Sequence, residues 1–107
     1  MFLTTKVKHV IVTDEALTVD LNDGRTVTVP LAWYLRIFYG KPQARMKWRL
    51  IGNGEGIHWS ELDEDISVEN LITGKPSGES QRSFKRWLEE YTARRAQPEI
   101  LQEEVAV

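Results

Sequence analysis

Leu17-Thr18-Val19-Asp20-Leu21-Asn22-Asp23-Gly24-Arg25-Thr26-Val27-Thr28-Val29 is the stretch that decides the fold. Leu17, Val19 and Leu21 alternate with Thr18 and Asp20, and Val27 and Val29 alternate with Thr26 and Thr28. A period of two on both arms puts one face of each strand on a core and the other in water. Between the arms, Asn22-Asp23-Gly24 supplies a tight turn, because Asp-Gly reaches positive φ at small cost. The stretch therefore reads as a β-hairpin. Upstream, Val7, Val10 and Val12 with His9 and Ile11 form a β-branched run that adds a strand. The chain thus opens on an N-terminal antiparallel three-stranded sheet.

Downstream, Pro30 ends the last of these strands because it cannot donate to a ladder. Leu31–Tyr39 is apolar and aromatic, with Trp33 and Ile37 at helical spacing, and predicts one helix stopped by Gly40. Pro42 suits the first turn of a second short helix that runs to Met46. Trp48–Ile51 and Gly56–Trp59 flank Asn53-Gly54 and predict a second hairpin. Ser67 caps a short helix, Val68–Thr73, that stops at Gly74. After a Lys75-Pro76-Ser77-Gly78 linker, Ser77 or Ser80 starts a long C-terminal amphipathic helix. Its Phe84, Trp87, Leu88 and Tyr91 sit at i, i+3, i+4 and i+7. Gln97-Pro98 should break it. The fold class is α+β, with residues 1–96 as one domain and 97–107 as an acidic, mobile tail.

Composition narrows the function. A chain of 107 residues fits one modest core. It has no cysteine, which excludes disulfides, thiolate metal sites and cysteine nucleophiles. A net charge of −2 exerts no global pull on nucleic acid or anionic membrane. No apolar run is long enough for a membrane helix, and Met1–Lys6 is too short and polar for a signal peptide, so a cytoplasmic location is expected. Charge is nonetheless segregated. Arg36, Lys41, Arg45, Lys47 and Arg49 have no acid among them, whereas Glu55, Glu61, Asp63, Glu64, Asp65 and Glu69 have no Lys or Arg among them. Compensation within the fold is the favoured reading over a nucleic-acid footprint.

A series of short motifs then becomes recognisable. Asp23-Gly24-Arg25, Val29-Pro30-Leu31-Ala32-Trp33-Tyr34 and Trp48-Arg49-Leu50-Ile51-Gly52 come first. Gly54-Glu55-Gly56-Ile57-His58-Trp59, Leu62-Asp63-Glu64-Asp65-Ile66-Ser67-Val68 and Pro76-Ser77-Gly78-Glu79-Ser80 follow. In that order they resemble the domain-of-unknown-function 2442 family of bacterial proteins, over roughly residues 6 to 90. The resemblance implies a small α+β domain with an N-terminal antiparallel sheet, and no established reaction, cofactor or catalytic residue. Many relatives carry proline where this chain has Leu35, which implies a straighter helix here. Relatives are often encoded beside another small protein, which has prompted toxin–antitoxin proposals. Some are fused to a helix-turn-helix module, of which this chain has only one long helix.

His58, Glu61, Asp63 and Asp65 are acceptable ligands for a divalent ion, but their spacing fits no ligand signature. Acids ahead of a helix are ordinary dipole partners. Gly52-Asn53-Gly54-Glu55-Gly56 lacks the Gly-Lys-Ser/Thr ending of a phosphate loop and reads as a turn. Ser60 has no nucleophile elbow, and His9 sits within a strand. The aromatic side chains are read either as core or as an association surface. Trp33, Tyr34, Phe38 and Trp87 are the candidates for contact, with Arg36, Arg45 and Arg49 for charge complementarity. Arg82, Lys85 and Arg86 lie opposite the apolar stripe of the last helix and are the candidates for contact with nucleic acid.

The expectation is a non-enzymatic protein-interaction module, a homodimer or the antitoxin-like member of a two-protein system. A nucleic-acid-associated regulator and a metal-dependent hydrolase at His58, Glu61 and Asp63 are the alternatives. No catalytic residue, resident metal or cofactor is assigned.

Overall fold

The computed structural model describes residues 5–106, and side chains as far as residue 94. The chain divides between Ser77 and Gly78 into two compact units. The division falls in the Lys75-Pro76-Ser77-Gly78 linker, where residues 75–80 belong to no helix or strand.

The first unit begins with β1 (Val7–Val12), β2 (Ala16–Leu21) and β3 (Thr26–Pro30), an antiparallel sheet in that order. Val10 faces Val19, and Leu17 faces Val29, so the inward residues stack across strands. Leu17 and Val19 are wholly buried. On the other face the Thr18 and Thr28 hydroxyls share a hydrogen bond of 3.1 Å, and Thr26 donates to Asp20 at 2.8 Å. The Asp-Gly turn forms as expected, with Gly24 at φ +95°. The register slips between Val7 and His9, leaving Lys8 outside the ladder.

The aromatic segment departs from the single helix expected. It forms a 3-10 turn over Leu31–Trp33 and then α1 (Leu35–Phe38). Tyr34 separates them at φ −126°, ψ 86°. Its ring is only 3% exposed, and its hydroxyl donates to the Lys75 carbonyl at 3.1 Å. Seating this ring in the core breaks the helix, so the break persists without the proline that relatives carry at the next position. Burial, with the Glu64 charge adding to it, holds the phenol above its ordinary value. Then α2 (Pro42–Arg45) leads into the second sheet.

That sheet is β4 (Trp48–Ile51), β5 (Gly56–Trp59) and β6 (Glu64–Ser67), again antiparallel and in order. β6 was not foreseen: Glu64-Asp65 looked like acids before a helix, and only Ile66 of that strand is fully buried. Trp59, Ile57 and Leu62 are wholly buried, and the Trp59 indole N–H donates to the Arg45 carbonyl at 3.0 Å. The β4–β5 turn carries Asn53 and Gly54 at positive φ. A Cβ on Gly54 would meet the Cβ of Lys6 at 3.1 Å, so this turn sits against the start of β1. α3 (Val68–Thr73) is capped as expected: Ser67 Oγ accepts from the Asn70 N–H at 3.1 Å, and Gly74 ends it at φ +76°.

The second unit contains α4 (Gln81–Ala106). Ser80, not Ser77, caps it, its Oγ accepting from the Ser83 N–H at 3.1 Å. Trp87 stacks on Phe84 at 5.9 Å and on Tyr91 at 4.8 Å between ring centroids, as the i, i+3, i+7 stripe requires. The helix passes Pro98, where the sequence predicted its end. A proline forfeits one intrahelical hydrogen bond, yet its fixed φ suits a helix. The side chains of residues 95–107, which include the expected acidic tail at 97–107, lie outside the described residues.

Candidate functional site

The segment joining the two sheets carries the most exposed apolar surface. Phe38 is 36%, Tyr39 52% and Met46 68% exposed. The Phe38 and Tyr39 rings meet edge to face at 5.2 Å. Arg45 fastens this corner from beneath. Its Nε donates to the Ile37 carbonyl at 3.0 Å and its Nη2 to the Phe38 carbonyl at 2.7 Å. Its Nη1 meets Asp14 at 2.7 Å. A guanidinium that satisfies two helix-end carbonyls while holding a carboxylate is a rigid brace. It brings the end of α2, and hence Met46, beside the end of α1.

The residues expected to mediate contact therefore separate. Phe38 is exposed and Trp33 half-buried. Tyr34 belongs to the core of the first unit, where a large ring fills much volume, and Trp87, only 6% exposed, stacks between Phe84 and Tyr91 of its own helix. Arg45 is internal, its side chain 12% exposed. Arg36, with a side chain 15% exposed, donates to the Asp63 carbonyl at 3.1 Å and pairs with the Asp63 carboxylate at 3.4 Å. Only Arg49 stays exposed without a cross-chain acid among the described residues. Met46 is the missed member of the corner, and Tyr39, part of the aromatic stretch, was not among the residues singled out for contact. Tyr39 was legible as a surplus aromatic, whereas a single methionine in a basic stretch gave no signal.

The acids proposed as metal ligands diverge. Glu61 pairs with Lys47 at 2.7 Å, Asp63 with Arg36, and Asp65 with the Nδ1 of His58. Among the described residues no three His, Asp or Glu side chains gather as a metal site. These same pairs show the segregated charges neutralising one another within the first unit. The His58–Asp65 contact belongs to a cross-strand row on the sheet face opposite Trp59. Arg49 of β4 stands opposite His58 of β5, and His58 opposite Asp65 of β6.

In the second unit Arg82, Lys85 and Arg86 are exposed and, with Gln81 and Glu89, line one shallow depression. Among the described residues no helix is long and apolar enough to cross a membrane.

Two short antiparallel meanders joined by a helical corner define a small α+β module. Residues 7–77 match the family model described as protein of unknown function (DUF2442), and the chain belongs to that family. The match ends with the first unit, short of the residue 90 that the motifs suggested. A protein of unknown function from Rhodospirillum rubrum shares the fold at 22% identity and a TM-score of 0.61. The likeness covers 72% of this chain and 95% of that one. An uncharacterized protein from Chromobacterium violaceum, solved by solution NMR, gives a TM-score of 0.59 at 16% identity. Here the coverage is 68% of this chain and 69% of that one. No curated protein matches.

Proposed function

We propose that the chain is a non-enzymatic protein-association module that pairs with a second copy of itself through the Phe38–Tyr39–Met46 corner. The observation that carries this reading is the concentration of exposed apolar side chains on a corner braced by Arg45. Exposed apolar residues scattered singly need no explanation, whereas a contiguous patch on a rigid support suits an interface. Arg36, Arg45 and Lys47 are each matched by an acid of their own chain. Two copies meeting here would thus bring little uncompensated like charge together, and a self-complementary patch is the usual basis of a two-fold dimer.

Sedimentation over a wide concentration range tests it. The native chain should dimerise, and the Phe38→Ala, Tyr39→Ala double variant should weaken the dimer about tenfold or more. A native chain that stays monomeric throughout refutes self-association. The antitoxin-like form would then be decided by whether the same double variant loses a partner captured from the native host.

A second reading rests on α4. Arg82, Lys85 and Arg86 share one exposed stripe, as a helix lying against phosphate requires. A gel shift on mixed DNA that fades steeply with salt supports it, and no shift at low salt removes it.

A further inference from the structure

We propose that the Arg49–His58–Asp65 row on the outer face of the second sheet is a binding site for the phosphate group of a small phosphate monoester. The site is separate from the association corner and does not depend on it. Directly opposed residues of an antiparallel pair stand about 5 Å apart at Cβ, so the three side chains form a continuous line across the strands. Arg49 and Asp65 are two strands apart, roughly 10 Å, and among the described residues the Asp65 carboxylate pairs with His58 and not with Arg49. Among the described residues Arg49 makes no ion pair and no side-chain hydrogen bond. Its neighbours Arg36, Arg45 and Lys47 are all committed to acids, so Arg49 stands apart from the other cations of its stretch.

His58 is the second half of the site. Its Nδ1 is engaged by the Asp65 carboxylate, which fixes the ring and leaves Nε2 as the nitrogen without a partner among the described residues. The His58 side chain is only 22% exposed although it lies on the outward face. Along that face Ile51 opposes Gly56, and a Cβ on Gly56 would meet Ile51 Cγ1 at 3.1 Å. Ile51 thus lies over the glycine and forms an apolar wall one step along β5 from the imidazole. A planar guanidinium with no ion-pair partner among the described residues, an imidazole at the directly opposed register position and an apolar wall one step along the strand match a tetrahedral oxyanion joined to an organic group. The oxyanion would take hydrogen bonds from Arg49 and, when the ring is protonated, from His58 Nε2. Asp65 acts through His58 as a positioning residue and stays on the far side of the ring from the anion.

The test is an NMR titration of the full chain with inorganic phosphate at constant ionic strength, read on the side-chain resonances of Arg49 and His58. We expect saturable shifts, with half-saturation on the order of 1 mM. Chloride at equal ionic strength should leave both resonances in place. Arg49→Gln and His58→Gln should each weaken binding about tenfold or more. Absence of saturation, or unchanged affinity in Arg49→Gln, overturns the proposal. Arg49 is exposed and has no partner among the described residues, so its variant should keep the native melting temperature and decide the matter even if His58→Gln unfolds.

Discussion

The two sheets of the first unit share a topology and differ in how they hold it. The first has strands of five and six residues, a strict inward and outward alternation on its central strand β2, and an outer face closed by its own Thr18–Thr28 and Asp20–Thr26 hydrogen bonds. The second has strands of four residues, and much of its order comes from outside the ladder. The Trp59 indole bonds to Arg45 of the helical corner, and Ser67 passes directly from β6 into the cap of α3. Its outer face carries Arg49, His58 and Asp65 rather than threonines. A long regular strand is self-sufficient, whereas a short one must borrow stability from neighbours and is freer in what its outer face displays.

This contrast can be broken by substitution. The largest effect should come from Trp59→Ala, which empties a wholly buried site and orphans the Arg45 carbonyl. We expect a loss of about 3–5 kcal/mol in urea unfolding, with the second sheet losing amide protection first. Next, Arg45→Met should cost about 1–3 kcal/mol, because the Phe38 carbonyl and the Asp14 carboxylate lose their guanidinium partner, while the Ile37 carbonyl keeps the Gly40 N–H. It should also abolish dimerisation, since the corner loses its brace, whereas a change at Thr28 in the first sheet should leave the dimer intact. Ser67→Ala should cost about 1 kcal/mol by removing the α3 cap, measured by thermal unfolding.

The smallest effects are those of pH, and they have opposite signs in the two regions. Tyr34 is held above its ordinary value of 10.0, so the stability it contributes is full below that value and declines as pH rises through it. The side-chain hydrogen bond from Arg25 holds the Asp23 carboxyl below its ordinary value of 3.8. That contribution is full above 3.8 and is lost as pH falls through the lower folded value. Both residues at the hairpin turn are exposed, so the acid effect should be slight and should vanish in Asp23→Asn. Urea midpoints across acid and alkaline series check both signs.

Legibility in the sequence follows the same contrast. The first hairpin was readable because alternation and an Asp-Gly turn are local signals. The α3 cap and stop were readable for the same reason. β6 was not, because Glu64-Asp65-Ile66-Ser67 is too short and acidic to show a period, and it becomes a strand only by pairing with β5. The helix break at Tyr34 was hidden because it arises from a distant acceptor, the Lys75 carbonyl. At the candidate sites the sequence gave residue types but not partners. It singled out Phe38 and Arg49, but nothing local could say that Arg45 turns inward or that Asp65, rather than Glu61 or Asp63, would meet His58.

The close approach of Gly54 to Lys6 bears on how the chain reaches its native state. Each meander is built from neighbours in sequence and can form early, since short loops close at small entropic cost. The Gly54–Lys6 contact spans most of the first unit and forms only when both meanders are present, so it reports their docking rather than their formation. The rate of that late step sets how long the uncovered apolar faces of both meanders stay open to aggregation.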